Sequence, residues 1–200
     1  MMAGYSETIE RLMAELGKLP GIGARSAERL AFYILKSADD EALALADAIR
    51  DVKTKIRPCS RCFNLAEGEL CAICANPRRD QGRICVVEQP KDVLSLESTG
   101  AYRGLNHVLM GHIAPLEGVE PEDLTIDALV ARVAAGGVSE VILATNPTVT
   151  GDATSLHIGE RLGACGVKVT RLARGLPAGG QIEYANKSIL SDAINERREL

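Results

Sequence analysis

The sequence contains no tryptophan, and aromatic residues make up only 3% of its 200 residues. Proteins that bind single-stranded nucleic acid by stacking bases need a series of aromatic side chains, so that class is disfavoured. The chain also has no excess of positive charge, since its formal net charge at pH 7 is -4. Any binding to nucleic acid must therefore come from a local basic surface, or from several copies of a weak site acting together.

Long apolar runs are absent as well, and the N-terminus is polar and soon acidic. No segment approaches the ~20 apolar residues of a membrane-spanning helix, and no apolar signal region opens the chain. We therefore expect no membrane partner and a reducing, cytoplasmic compartment. Hydrophobic residues, at 46%, are enough for a real core, and the pattern changes on either side of the cysteines. That change predicts a composite of modules.

Six cysteines stand out against these absences, and four of them form two Cys-x-x-Cys pairs. Cys59 pairs with Cys62 and Cys71 with Cys74, across a short polar loop. Four thiolates at this spacing suit a tetrahedral zinc ion. The sequence shows no fifth candidate ligand nearby, so nothing indicates a catalytic site with an open coordination position. The sequence therefore predicts a closed, structural Zn²⁺ site whose metal stabilises a segment too small to fold alone.

Two disulfides or a redox pair are the alternatives for these cysteines. Disulfides need an oxidising compartment and usually a secretory signal, whereas a thioredoxin-like motif uses one Cys-x-x-Cys pair and not two. Zinc is favoured on both grounds. The remaining cysteines, Cys85 and Cys165, lie in apolar surroundings and are expected in the core.

Before the cysteines the pattern is helical, with a tight turn between the first two helices. The turn reads Leu-Pro-Gly-Ile-Gly at 19–23, and apolar residues recur at helical spacing on both sides of it. Gly21 and Gly23 leave backbone amides uncovered at the start of the second helix, where the dipole favours a phosphate. Lys18, Arg25 and Arg29 flank the same position. The pattern predicts a helix-hairpin-helix that binds the DNA backbone without reading its sequence.

A plain pair of helices with solvated arginines is the alternative, and Glu28, which lies among the cations, favours it. A third helix is expected to begin with an acidic cap within 37–40 and to end in the cations Lys53, Lys55 and Arg57. These cations either stabilise that helix end or extend a basic surface towards the arginines at 61, 78 and 79. The sequence does not decide between the two.

After the cysteines, strands and helices alternate, which predicts a mainly parallel sheet covered on both faces. Strands are expected at 84–87, 108–110, 140–144 and 167–172. A glycine-rich turn and a small apolar helix from about Ser188 close the chain; the turn lacks the residue order of a phosphate-binding loop. The closing helix needs a partner to cover its apolar stripe, and another subunit would supply one.

Carboxylates follow the expected strands at the edge where open α/β sheets place their ligands. Glu88 and Asp92 follow the first strand, and Asp152 follows the strand at 140–144. Such a group can hold Mg²⁺, but Asn-Pro-Thr at 146–148 replaces the Asp-x-Asp expected for that chemistry. We therefore expect a vestigial metal site or a surface that docks a partner, and not an active site; functional Mg²⁺ at this edge is disfavoured. Structural or surface roles are expected for the histidines His107, His112 and His157.

In this order, the motifs resemble the RecR family of bacterial recombination mediators. The resemblance covers essentially the whole chain: the glycine hairpin with Ser-Ala-Glu-Arg-Leu-Ala at 26–31, the four cysteines, Ile-Cys-Val-Val-Glu at 84–88, His-Val-Leu-Met-Gly at 107–111, Glu-Val-Ile-Leu-Ala-Thr-Asn-Pro-Thr at 140–148, and Arg-Gly-Leu-Pro at 174–177. It implies an α/β protein with four parts: a helix-hairpin-helix (1–57), a four-cysteine zinc knuckle (58–79), a Toprim domain with a mainly parallel sheet (80–172), and a C-terminal turn and helix (173–200) that contacts another subunit.

The resemblance also implies a non-catalytic function. RecR-like proteins form ring-shaped tetramers that encircle DNA, and with RecO and RecF they help to load recombinase onto single strands at gaps. Single- and double-stranded DNA, gaps and junctions are the implied nucleic-acid partners, and the bacterial nucleoid the implied location. By position, Arg25 and Arg29 match the cations that contact DNA. Glu88, Asp92 and Asp152 match acidic Toprim positions implicated in partner binding.

Two positions depart from that family's pattern: Asn106 stands where tyrosine is usual, and Asp152 follows Thr-Gly where Glu-Gly-Glu is common. Two other functions compete with the family interpretation. A Toprim-type nuclease, primase or topoisomerase fragment would use Glu88 and Asp152 with Mg²⁺, but the sequence lacks Asp-x-Asp and a tyrosine placed to cleave a strand. A zinc-stabilised adaptor would bind only proteins, and DNA binding by the purified chain would exclude it.

Overall fold

The computed structural model describes residues 5–197. The chain forms two compact units that divide between Ile56 and Arg57. The first is helical, and the second contains the cysteine pairs and the sheet. Among the described residues, no helix has the length and apolar character needed to cross a bilayer.

The first unit consists of three helices, α1 (Glu7–Gly17), α2 (Ala24–Lys36) and α3 (Asp39–Lys55). α1 packs on α2, and small residues let the two approach closely. Ala27 and Ala31 are buried, and a Cβ on Gly17 would lie 3.9 Å from the Cβ of Ala27. The predicted apolar stripe of the second helix is therefore its packing face.

The third helix begins within the predicted range, but no serine or acidic side chain caps it. Ser37 ends α2, and its hydroxyl donates to the carbonyl of Ile34 at 2.8 Å. Ala38 stands at the N-cap of α3, where no side-chain hydrogen bond is made. The acidic first turn that begins at Asp39 stabilises the helix start through the helix dipole instead.

Two short antiparallel strands, β1 (Arg57–Pro58) and β2 (Leu65–Ala66), open the second unit. They frame the first cysteine pair, and the amide of Cys59 donates to the carbonyl of Asn64 at 2.7 Å. The metal loop is thus held by backbone pairing before any metal is considered.

Four parallel strands form the central sheet: β3 (Asp80–Val87), β4 (Gly104–Val108), β5 (Glu140–Leu143) and β6 (Lys168–Arg171). Their order is β4-β3-β5-β6. The two strands that follow β3 in the chain, β4 and β5, therefore pair on opposite sides of it. The winding reverses there, and the carboxyl ends of β3 and β5 flank the crevice in which such sheets bind ligands.

Helices cover both faces of the sheet, as predicted. Helix α4 (Pro90–Ser98) packs on one face, and α5 (Ile126–Ala134) with α6 (Val149–Gly163) on the other. Alternate residues of β3 enter the two cores, as a pleated strand requires. The last helix, α7 (Lys187–Asn195), has no buried residue.

The second strand of the sheet lies earlier than predicted, at Gly104–Val108 and not at 108–110. Asn106 and His107 are buried polar residues within it, and they mask its apolar pattern in the sequence. Met110 adopts a left-handed φ of 67°, which ends the extended backbone. The prediction was therefore displaced towards the apolar residues that follow the strand.

Candidate metal centre and nucleic-acid interface

The four predicted zinc ligands converge on one point. The Sγ atoms of Cys59, Cys62, Cys71 and Cys74 all lie within 4.8 Å of one another, and the four side chains are buried. A tetrahedral ion with zinc–sulfur bonds of about 2.3 Å would hold its sulfurs about 3.8 Å apart. The Sγ atoms of Cys62 and Cys71 are 3.6 Å apart. The donor set and its geometry fit a structural zinc ion.

Backbone turns build this cluster and favour the ionised form of Cys59. A hydrogen bond with Cys74 raises the pKa of Cys62, and burial raises the pKa of Cys71. The amide of Phe63 donates to the carbonyl of Cys59, and the amide of Ala75 donates to the carbonyl of Cys71. Each Cys-x-x-Cys pair therefore closes on the same kind of turn. Burial raises the pKa of Cys59, but backbone N–H donors of the cluster outweigh this effect and lower the pKa to about 7. Thiolate is the form that binds zinc.

The zinc knuckle, residues 58–79, is attached to the edge of the sheet. The amide of Val108 on β4 donates to the carbonyl of Cys62 at 2.8 Å. Arg79, at the end of the knuckle, forms an ion pair with Glu97 of α4. Both side chains of that pair are only about a fifth exposed, at 17% and 20%. These contacts fix the metal loop against the sheet.

The glycine hairpin presents uncovered backbone at the start of α2. Gly21 has a positive φ of 80°, and Gly23 is the N-cap of α2, with no side chain bonded to the free amides. A Cβ on either glycine would meet no atom of residues 5–197 within 4 Å, so the space before the helix is open in the described part of the chain. The first turn contains no acidic residue. Helix starts of this kind bind phosphate.

The charged residues around the hairpin differ in how they are held. Arg25 and Arg29 are exposed. Lys18 lies 2.7 Å from the Glu15 carboxylate, but both side chains are largely exposed, so the pair contributes only about 0–1 kcal/mol and can open to a phosphate. Glu28, which favoured the plain helical pair, accepts a hydrogen bond from the hydroxyl of Tyr5 at 2.8 Å. That bond gives the carboxylate a partner other than the arginines.

Glu88, at the carboxyl end of β3, is buried at 4% exposure and held by donors. Its carboxylate accepts hydrogen bonds from the backbone and side-chain amides of Asn146, at 2.8 and 2.6 Å, and lies 3.3 Å from His112 Nδ1. Gly151 allows this approach, because a Cβ there would lie 2.9 Å from the Glu88 carboxylate. The side-chain amide of Asn146 thus donates a hydrogen bond to Glu88. An aspartate at 146 would place a second negative charge beside Glu88, and the two carboxylates would need a shared cation.

The other two acidic residues have separate partners. Asp92 accepts a hydrogen bond from the Gln89 amide at 2.8 Å and completes a capping box at the start of α4. Asp152 forms a two-point ion pair with the Arg174 guanidinium, one contact of which is 2.9 Å, and the pair lowers the pKa of Asp152. In the part of the chain that is described, the four cysteines converge as a metal-binding group and the three carboxylates do not.

Comparison with known proteins accounts for this combination of modules. Three family models match in order: the RecR helix-hairpin-helix at 9–53, the RecR zinc finger with four cysteines at 56–76, and the Toprim domain at 82–173. Recombination protein RecR of Rhodopirellula baltica is 55% identical over 199 residues, which are 100% of both chains. The RecR of Rubrobacter xylanophilus is 57% identical over 199 residues, again 100% of both chains. That of Chloroflexus aurantiacus is 57% identical over 192 residues, or 96% of this chain and 94% of the relative.

The chain belongs to the RecR family. This confirms the resemblance drawn from the motifs. It also confirms the predicted fold class, which combines a helix-hairpin-helix, a four-cysteine zinc knuckle and a parallel Toprim sheet.

Three residues that organise the sites of this RecR-family chain were not assigned a role from sequence. In the sequence, Asn146 is only a departure from Asp-x-Asp, and Arg174 is only part of a motif. Arg132 of α5 gave no signal, because its contact with Arg61 in the knuckle spans 71 positions of the chain. The fold alone brings these side chains to their partners.

Proposed function

We propose that this RecR-family chain is a non-catalytic mediator of DNA repair and recombination. It binds DNA without sequence specificity as a ring-like oligomeric clamp and, with RecO and RecF, helps to load the recombinase at single-strand gaps. One observation carries the proposal: the start of α2 at Gly23 is open and uncapped, and Arg25 and Arg29 flank it exposed. Such a surface contacts phosphates and not base edges, so it suits single strands, duplexes, gaps and junctions alike.

Exposed apolar surface in both units supports the oligomer. In the first unit, a groove of about 610 Å³ is lined largely by side chains of α1 and α2, among them Ile9, Leu12 and Phe32. Other large apolar side chains are exposed on α3 and in the C-terminal segment: Leu43, Ile49, Val52, Ile182, Tyr184 and Ile194. Large contiguous apolar patches on a protein surface commonly mark sites of association. Two separate self-complementary surfaces on each chain would close a tetramer, which is the state that we propose.

A ring also resolves the conflict between DNA binding and charge. The net charge of -4 repels DNA over the chain as a whole, and one hairpin supplies few phosphate contacts. Several hairpins on one ring act at high effective concentration, so that weak contacts give useful affinity. Because each contact releases counterions, we expect the affinity to fall steeply with salt.

The sheet edge supports a docking role and not catalysis. The Glu88 carboxylate is occupied by Asn146 and Asp152 by Arg174, so a metal ion would have to displace protein donors to reach either group. We therefore propose no role for Mg²⁺ at this edge of the sheet. We propose that a protein partner docks at this edge of the sheet, where Glu88, Asp92 and Asp152 lie. A cavity of about 460 Å³ beside Glu88 is open there.

The division into parts is proposed along with the function. The helix-hairpin-helix of 1–57 binds DNA, the knuckle of 58–79 holds zinc, the Toprim domain of 80–172 docks protein partners, and 173–200 contacts another subunit. A protein with these roles works beside the chromosome, in the cytoplasm at the nucleoid.

The hairpin assignment is tested by removing its two exposed arginine charges together. Arg25→Gln with Arg29→Gln should abolish binding to gapped DNA in a gel-shift assay while circular dichroism and oligomer mass stay unchanged. The matched control is Arg161→Gln with Lys168→Gln, which removes equal charge from cations paired with carboxylates in the second unit. Unchanged affinity in the hairpin variant would contradict the assignment.

Catalysis is tested with zinc-loaded protein and end-labelled gapped DNA, with and without Mg²⁺ or Mn²⁺. We expect retarded DNA on native gels and intact strands on denaturing gels. Nicked, extended or religated strands would establish the competing Toprim-type enzyme. Failure to retard DNA at any protein concentration would favour an adaptor that binds only proteins.

A further inference from the structure

The side chain of Arg132 joins the zinc knuckle to the sheet. Its Nη1 donates to the carbonyl of Asn106 on β4 at 3.0 Å and to the carbonyl of Arg61 at 3.5 Å. Arg61 lies between the two cysteines of the first pair. One guanidinium on α5 therefore touches both the sheet edge and the loop that carries metal ligands.

The second terminal nitrogen of this guanidinium has no hydrogen-bond partner in the described part of the chain. Nη2 of Arg132 is buried and unpaired among the described residues. A buried cationic N–H group without compensation is costly, so negative charge is required nearby. Burial lowers the pKa of Arg132, and charge on Cys74, Cys62 and Cys59 opposes that shift. Because Nη1 contacts the backbone between Cys59 and Cys62, the cysteine sulfurs are the anions that this geometry offers.

A zinc-loaded knuckle would carry negative charge that needs a nearby cation. Four thiolates around one divalent ion carry a net negative charge, and the cluster is buried. Backbone N–H groups donate to sulfur at Cys59, but amides are dipoles and do not neutralise a net charge. Groups beyond the ligands commonly set how tightly such a metal is held.

We propose that Arg132 is the counter-cation of the zinc site and that it couples retention of zinc to the seating of the knuckle on β4. Arg132 binds no metal itself and acts as a positioning residue. Its charge offsets the thiolates, and its Nη1 contacts hold the loop to the strand. Zinc and the docked knuckle then stabilise each other, because the guanidinium is well placed only when both are present.

The first test is Arg132→Gln, measured by competition between the zinc-loaded protein and a chromogenic zinc chelator. We expect apparent zinc affinity to fall by about tenfold to a hundredfold, as for other groups that support metal ligands. The control is Arg161→Gln. It removes an exposed arginine of α6, which pairs with Asp127 on α5, the helix that carries Arg132. This control should keep the affinity of the wild type. Wild-type affinity in folded Arg132→Gln would overturn the proposal.

Arg132→Lys separates charge from shape and also serves if the glutamine variant does not fold. Both observed contacts come from Nη1, and lysine keeps the positive charge on one terminal nitrogen without the planar guanidinium. Zinc affinity in this variant should therefore stay within about threefold of the wild type. A loss in the lysine variant as large as tenfold would mean that only the contacts matter, and it would overturn the counter-cation role.

Hydrogen exchange supplies a readout that does not depend on metal titration. The Val108 amide bonds to the Cys62 carbonyl and so reports docking of the knuckle. In the zinc-loaded state this amide should exchange faster in Arg132→Gln than in the wild type, and Arg132→Lys should restore protection. Equal protection in all three proteins would refute the coupling.

Discussion

His107 is a buried titratable group whose protonation should destabilise the second unit. The side chain is 0% exposed, and its Nε2 lies 3.0 Å from both the carbonyl and the hydroxyl oxygen of Thr125. Nδ1 is buried without a partner among the described residues. The ring also meets Phe63 of the zinc knuckle edge-on, with centroids 5.4 Å apart. Burial lowers the pKa of His107 to about 4, although the Thr125 carbonyl opposes the shift.

The direction and size of the effect follow from linkage. Unfolded histidine titrates at about pH 6.5, and the folded protein binds that proton less tightly. The stabilisation that neutral His107 contributes is therefore fully present above the pKa of the unfolded state. It is lost as the pH falls towards the pKa of His107 in the folded protein. Over the full window the loss is about 3 kcal/mol, and between about pH 7.5 and about pH 5.5 it is about 1.3 kcal/mol. The measurement uses the upper part of this pH window, because lower pH also releases zinc by protonating its thiolate ligands.

The assay compares wild type with His107→Gln by urea unfolding, followed by far-UV circular dichroism at fixed protein concentration. Glutamine does not titrate, and its amide can still donate to the Thr125 carbonyl. From about pH 7.5 to about pH 5.5 the wild type should lose about 1.3 kcal/mol more stability than the variant. Parallel pH profiles with equal denaturant slopes would refute the argument, since His107 would then hold its proton equally in both states.

Two further predictions concern α6 and the sheet edge. Gly151→Ala should lower the midpoint of thermal unfolding, because its Cβ would clash with the backbone carbonyl of Asn146 and would also lie 2.9 Å from the Glu88 carboxylate. A Cβ on Gly159 would meet no described atom within 4 Å, so Gly159→Ala should raise stability by about 0.5–1 kcal/mol. Equal midpoints for the two variants would contradict the close contacts at Gly151. Asp152→Asn should destabilise the protein at neutral pH, and the difference from wild type should shrink as the pH falls to about 4 and below. The ion pair lowers the pKa of Asp152, so its stabilisation exists above the unfolded pKa and is lost on protonation; urea unfolding that shows a constant difference would exclude a role for the charge.

Local spacing made most of the fold predictable. The helices of the first unit follow their apolar periodicity, and the glycine turn before α2 has the open start that its residues predict. The strand at 104–108 was misplaced because Asn106 and His107 are buried by tertiary contacts that no local pattern encodes. Each of these buried polar residues has a partner distant in the chain: Asn106 donates to Glu97, and His107 contacts Thr125.

The candidate sites divide in the same way. The four cysteines were identifiable because each Cys-x-x-Cys pair is a local turn, and pairing two such turns leaves few other interpretations. The acidic edge was located by the rule for strand ends, but the partner of each carboxylate was not. Asn146 reaches Glu88 across 58 positions of the chain, and Arg174 reaches Asp152 across 22.

The sequence by itself determined the modules, their order, the metal ligands and the cations of the hairpin, because each depends on spacing within a turn or along one helix. Only the tertiary structure decided which charges are already paired, and so which acidic residues a cation could still reach. It alone placed Arg132 of α5 beside the zinc knuckle, with one nitrogen that no described residue pairs. Pairing of charges depends on distances across the sheet and on burial, and these are set by how the strands are ordered rather than by neighbours in the chain.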